Sequence, residues 1–244
     1  MTTFPHQPDQ AGYGVRFEWG VAGVEALARR GDVLVVVDVL RFTTAVEAGV
    51  SQGVRVFPHR WRDVSVAGYA AGLGAVVADG AQGRPSLSPV SLLSLRPGSR
   101  VVLPSPNGAT CAAIAAEAGA TVVAACLRNA AAVTAWLRAN AGSVSVVACG
   151  ERWGDGSLRP AIEDLLGAGA VIAGLHGTRS PEAQAAVAAW TDVTGRVSET
   201  VVASSSGREQ VARGWDEDLR YAVQVNASSA VPVLRQGAFV DAIR

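Results

Sequence analysis

Three short segments of this 244-residue chain carry side chains suited to holding an anion beside a hard cation. The first is Asp38-Val39-Leu40-Arg41-Phe42-Thr43-Thr44. Arg41 offers a planar fork of donors that suits phosphate. Thr43 and Thr44 open a helix, whose free N–H groups and dipole attract anions. Asp38 beside such a cradle is poor electrostatics unless a cation sits between carboxylate and anion, as in a metal-bridged phosphate. The plainer reading is an N-cap, with Asp38 bonded to Arg41.

The second segment is Leu103-Pro104-Ser105-Pro106-Asn107-Gly108-Ala109-Thr110. Asn107-Gly108 lets the backbone turn tightly and expose N–H groups, and Ser105 and Thr110 add hydroxyls. An ordinary strand-to-helix turn uses the same residue types. The third segment runs through Gly150-Glu151-Arg152-Trp153 to Glu163-Asp164. Mg²⁺ takes oxygen ligands, usually one or two carboxylates with water and substrate phosphate. Acids at a helix start explain one of Glu163 and Asp164 without any metal, but not Glu151.

All three segments need strands to deliver them. Val33–Val37 is β-branched and apolar on both faces, as a central parallel strand must be. Similar runs are Val54–Phe57, Ala75–Ala78, Val101–Leu103, Thr121–Ala125 and Val144–Ala148. Helical stretches lie between them: Thr43–Gln52, Asn107–Ala118, Asn129–Asn140, Pro160–Leu175 and Pro181–Trp190. The alternation predicts an α/β fold, a three-layer α/β/α sandwich with a mostly parallel central sheet. Ligands of such sheets bind beyond the carboxyl ends of the strands, where the three segments fall. Residues 1–14 read as a flexible or edge segment and 15–244 as one domain. Gly80–Pro97, rich in Ser, Pro and Gly, reads as a cover for a site. Val231–Val240 reads as a terminal hairpin.

Composition narrows the function classes. Charged residues make up 17% of the chain, below the usual fraction of about 25%, which indicates extensive burial. Acids and bases balance at 21 each, and the arginines are scattered. No basic stripe is present for nucleic acid. No run approaches the about 20 apolar residues of a membrane span, and the start lacks signal-peptide character. A cytoplasmic enzyme is expected, with a symmetric homodimer as the default assembly. Cys111, Cys126 and Cys149 read as buried thiols. The three histidines carry no metal spacing, and Trp61, Trp136, Trp190 and Trp215 read as core or half-buried residues. P-loop and dinucleotide motifs are missing.

Taken in order, these segments resemble the 2-phosphosulfolactate phosphatase family. The matching pieces are Val37-Asp38-Val39-Leu40-Arg41 with Thr43-Thr44, Ser88-Pro89, Pro106-Asn107-Gly108 and Leu127-Arg128-Asn129-Ala130. Gly150-Glu151, Glu163-Asp164-Leu165-Leu166, Gly169, Ser206-Gly207 and Val231-Pro232-Val233-Leu234 continue the match. The family pattern places Asn, His and Asp where this chain has Leu87, Ser206 and Asn226, and a Gly-Glu-Arg stretch where it has Asp79-Gly80-Ala81-Gln82.

The resemblance implies a Mg²⁺-dependent phosphatase that converts 2-phosphosulfolactate to sulfolactate and phosphate, a step toward coenzyme M. Combined with the residues, it assigns Asp38, Glu151, Glu163 and Asp164 to the metal and Asp38 and Arg41 to catalysis. Thr43, Thr44, Ser105, Asn107 and Gly108 would then meet the substrate, and Arg152 its carboxylate or sulfonate. The alternatives are a phosphatase for another phosphorylated carboxylic acid and an inactive ligand-binding homologue.

Overall fold

Burial on both faces of Val33-Leu34-Val35-Val36-Val37 decides the centre of the molecule. All five residues are buried. Val33, Val35 and Val37 join a cluster with Leu137, Leu166 and Ile172, whereas Leu34 and Val36 join another with Phe42, Val46 and Ala112. Successive strand side chains point to opposite faces, so one strand feeds two cores. A third, smaller cluster holds Phe57, Ala70, Val102 and Ala238.

The computed structural model describes residues 10–60, 63–81 and 83–243. Along the chain the first elements are β1 (Val15–Trp19), α1 (Gly20–Leu27), β2 (Val33–Val37), α2 (Phe42–Ser51), β3 (Arg55–His59), α3 (Ser65–Leu73) and β4 (Val76–Val77). Then come α4 (Pro89–Leu93), β5 (Arg100–Pro104), α5 (Gly108–Glu117), β6 (Thr121–Ala125), a 3₁₀ turn (Leu127–Asn129), α6 (Ala130–Asn140) and β7 (Val144–Ala148). The rest is β8 (Glu151–Arg152), β9 (Leu158–Arg159), α7 (Ile162–Ala173), α8 (Pro181–Val193), α9 (Val197–Ala203), α10 (Ser205–Ala212), α11 (Asp216–Ala222), β10 (Pro232–Arg235) and β11 (Ala238–Asp241).

The architecture is α/β: a nine-stranded sheet, ordered β1-β7-β2-β6-β10-β11-β3-β5-β4, with flanking helices. Its pairings are parallel except at β6–β10, β10–β11 and β11–β3. Those three antiparallel steps reverse direction across the sheet. The β3–β5–β4 block therefore runs opposite to the β1–β7–β2–β6 block. The C-terminal hairpin joins the two blocks, a more central place than a terminal hairpin suggests. Helix α5 contacts β2, β6 and β3, and so spans the seam between them.

Several expected boundaries shift. Helix α7 starts at Ile162, because Pro160 follows the short β8–β9 hairpin instead of opening the helix. Gly80–Pro97 contains a helical turn, α4, capped by the Ser88 hydroxyl. Residues 1–9 of the expected N-terminal segment lie outside the described residues, and strand pairing begins at β1. Among the described residues no helix is long and apolar enough to cross a membrane.

The family-pattern residues Arg128 and Asn129 turn out to hold the frame. Arg128 pairs with buried Glu47 at 2.9 Å and stacks 3.6 Å from the Tyr221 ring. Asn129 accepts a hydrogen bond from the Cys126 N–H and donates to the Ala124 and Ala230 carbonyls, tying β6 to the approach of β10.

Candidate active site

Asp38 follows the last residue of β2 and is buried. Its Oδ1 accepts from the Phe42 N–H at 3.0 Å, and its Oδ2 accepts from the Gly108 N–H at 2.9 Å. One carboxylate thus caps α2 and also ties the β2–α2 turn to the start of α5, from the oppositely directed block. Gly108 is required there. A Cβ at this position would lie 2.3 Å from Phe42 Cδ1 and 2.7 Å from Asp38 Oδ2.

Asp164, in the first turn of α7, makes a parallel clamp. Its Oδ1 accepts from the Val39 N–H at 2.7 Å and its Oδ2 from the Gly150 N–H at 2.9 Å. It thereby holds the loops that leave β2 and β7. Next to it, Glu163 is 1% exposed and bonded to the Ser206 hydroxyl, and its Oε2 has no hydrogen-bond partner among the described residues. Glu151 lies past the end of β7, where its Oε2 accepts from the Asn107 amide at 3.1 Å.

These acids raise one another's proton affinity. Burial, then the charges of Glu151 and Glu163, pushes Asp38 up to about 7, against the pull of its two N–H donors. Burial holds Asp164 well above the carboxylate range, with Glu163 and Asp38 adding to the effect. Burial also raises Glu151 and Glu163. Such a concentration of carboxylates stores repulsion that a cation relieves.

A cavity of about 280 Å³ opens over this centre. Asp38, Ser105, Asn107 and Glu151 line it from the strand ends. Arg41, Gln210, Arg213 and Trp215 line it as well. Arg41 pairs not with Asp38 but with Asp218 of α11, at 2.6 Å, and its guanidinium lies 3.8 Å from the Trp215 ring centre. Ser88 of α4 donates to the other Asp218 oxygen at 2.5 Å. The Gly80–Pro97 segment thus does border the site, and Leu87 lines the cavity.

Other sequence-derived site residues take different places. The Thr43 hydroxyl donates to the Asp38 carbonyl at 2.7 Å, and the Thr44 hydroxyl to the Val39 carbonyl at 2.7 Å. Both threonines are fully buried and shape the turn from beneath, not from the cavity. The N–H groups of Phe42, Thr43 and Gly108 are likewise engaged, by Asp38 itself. Arg152 donates to Asn107 Oδ1 and to the Gly156 and Pro106 carbonyls, and lines an adjoining cavity beside Cys111 and Cys149 that shares Asn107 and Glu151 with the first. All three cysteines are buried free thiols. Asn226 is remote from the cavity, where its Oδ1 accepts from the Ala131 N–H.

Sequence reasoning missed Gln210, Arg213 and Asp218, and gave Trp215 no place in a site. They come from α10, α11 and the turn between, short helices without a clear apolar period. The Ser206-Gly207 piece was the available signal. A Cβ on Gly207 would sit 2.0 Å from the Val201 carbonyl oxygen, so this glycine lets α10 pack against α9.

The donor set fits Mg²⁺ in its usual manner, one or two carboxylates completed by water and phosphate. Asp38 and Glu151 are the carboxylates on the cavity wall. A cage of four does not form. Glu163 and Asp164 do not line this cavity, and among the described residues no three His, Cys, Asp or Glu gather as a metal cluster.

Fold and cavity together define an α/β enzyme site that faces carboxylates with arginines. The chain belongs to the 2-phosphosulpholactate phosphatase family, whose profile matches residues 84–237. Members of this class are phosphoric monoester hydrolases. A 2-phosphosulfolactate phosphatase from Methanothermobacter thermautotrophicus is 30% identical over 209 residues, covering 83% of this chain and 87% of that one.

Proposed function

We propose that the chain hydrolyses the phosphate ester of a small phosphorylated acid, with 2-phosphosulfolactate as the leading substrate and Mg²⁺ as cofactor. The observation that carries this reading is the cavity itself, which Asp38, Glu151 and Arg41 line together. Family membership supports the reaction class. The three-layer arrangement remains the finer reading of the fold, supported by the two cores fed by β2.

Arg41 draws the phosphoryl group in and offsets its charge. Asp218 and Trp215 keep its guanidinium in place. Asp38 and Glu151 would hold Mg²⁺, which supplies Lewis-acid polarisation of the phosphoryl oxygens when bound. The two N–H bonds to Asp38 fix its carboxylate before substrate arrives, so little reorganisation is needed. Hydrolysis consumes one water, breaks the phosphorus–ester oxygen bond and releases sulfolactate and phosphate.

The test is phosphate release from a panel of small phosphorylated acids, 2-phosphosulfolactate included, with Mg²⁺ and with EDTA. Metal-dependent release that Asp38→Ala abolishes in a folded protein is expected. Silence of the folded wild type across the panel would overturn the reading.

A further inference from the structure

Two arginines line the cavity, and their electrostatic situations differ. Arg41 is neutralised by Asp218 at 2.6 Å. Arg213 has no acid partner among the described residues. Both rest on one ring, with guanidinium carbons 3.8 Å and 5.2 Å from the Trp215 centre. Stacking of this kind confines a long side chain that would otherwise sweep through solvent. Gln210 of α10, which also lines the cavity, is 5% exposed, and its Oε1 is buried without a hydrogen-bond partner among the described residues.

Resting on the proposed phosphatase reading, we propose that Arg213 is a specificity-determining residue that holds a second acid group of the substrate, a carboxylate or a sulfonate. Arg213 is exposed to solvent and lines the same cavity as Asp38 and Arg41, beside the Trp215 ring that both guanidiniums approach. A substrate whose phosphoryl group lies against Arg41 and Asp38 brings its remaining acid group toward Arg213. Arg152, the sequence-derived choice for this task, has its nitrogens engaged by Asn107, Gly156 and Pro106 and lines the adjoining cavity, which shares Asn107 and Glu151 with this one. The site would therefore prefer phosphate esters with an additional acid group over plain monoesters.

The experiment compares kcat/KM for 2-phosphosulfolactate and phenyl phosphate in wild type, Arg213→Ala and Arg213→Lys. Charge-assisted hydrogen bonds of this kind change affinity by about tenfold or more. The selectivity ratio is expected to fall by about that factor in Arg213→Ala and to recover in part in Arg213→Lys, which keeps the charge but not the fork. An unchanged ratio would overturn the assignment. Two further esters, 2-phospholactate and the phosphate of 2-hydroxyethanesulfonate, identify the group held. A drop with either supports the proposal. If the wild type hydrolyses none of them, the phosphatase reading fails by itself, and calorimetric Kd values for the same compounds decide about Arg213. Selective weakening of the doubly acidic ligands by Arg213→Ala upholds its role, whereas equal affinities or no binding refute it.

Discussion

Arg41 and Asp218 meet at 2.6 Å although 177 residues of chain separate them, and both side chains are at least nine-tenths buried. The pair brings α11 against the turn after β2 and aims the guanidinium along the cavity wall. Asp218→Ala leaves a buried cation without its partner. A loss of about 3 kcal/mol in stability is expected, with a fall in kcat/KM for phosphorylated acids. Asp218→Asn keeps one acceptor oxygen for Arg41 and turns an NH₂ toward the Ser88 hydroxyl, which can accept from it, and should lose less of both. Urea unfolding with steady-state kinetics checks this. Equal kinetics in wild type and Asp218→Ala would show that Arg41 does not depend on this contact.

Gly108 is constrained by its neighbours more than by its backbone angles. The space for a side chain is filled by the Phe42 ring and the Asp38 carboxylate. Gly108→Ala must push one of them aside. The expected outcome is about 1–3 kcal/mol of overpacking strain and a displaced Asp38, hence much reduced turnover. Thermal unfolding and phosphate release measure the two effects. Wild-type values for both would contradict this packing.

Much of the frame was legible because its strands bury both faces. Thr121–Ala125 and Val144–Ala148 match β6 and β7 residue for residue, since short β-branched apolar runs of this length suit a strand buried on both faces. Reversal of direction across the C-terminal hairpin was not legible, because pairing partners leave no mark in local periodicity. The acidic half of the site was visible as Asp38, Glu151, Glu163 and Asp164 at strand ends and a helix start. Its cationic half was not, because Arg213, Trp215 and Asp218 sit in a polar segment and gain meaning only by packing beside Arg41. The threonines misled for a related reason: hydroxyls at a helix start serve the local backbone as readily as a ligand.

Asp164 fixes two loops at once, so its variants should separate loop order from charge. Asp164→Ala strands the N–H groups of Val39 and Gly150, each worth about 1–3 kcal/mol where water does not reach. Asp164→Asn keeps one acceptor oxygen and turns an NH₂ toward the other donor. Hydrogen exchange at the Val39 and Gly150 amides is expected to speed up in both variants, more in the alanine one. Unaltered exchange at both amides would mean that other contacts hold these loops.

The acidic centre also sets how stability depends on pH. Asp38, Glu151, Glu163 and Asp164 face one another from β2, β8 and α7, with Arg159 near the two glutamates and Arg41 across the cavity. All four carboxyls are held above their ordinary values, so the fold favours their protonated forms. Asp38 contributes fully below its unfolded value of 3.8, and that contribution is lost as pH rises through about 7. The other three act in the same direction. Asp63, Asp79 and Asp155 shift downward instead, but they are solvent-screened and weigh little. In EDTA the protein should therefore melt higher at pH 5.5 than at pH 8, by about 3 °C or more, or ~1 kcal/mol at this chain length. Mg²⁺ relieves repulsion only among ionised carboxylates, so its stabilisation should be larger at pH 8 than at pH 5.5. Differential scanning calorimetry at both pH values, with EDTA and with Mg²⁺, reads all four cases. A melting temperature in EDTA that climbs from pH 5.5 to 8 would contradict the mutual repulsion of these acids. Mg²⁺ stabilisation equal at both pH values would remove Asp38 and Glu151 from the metal.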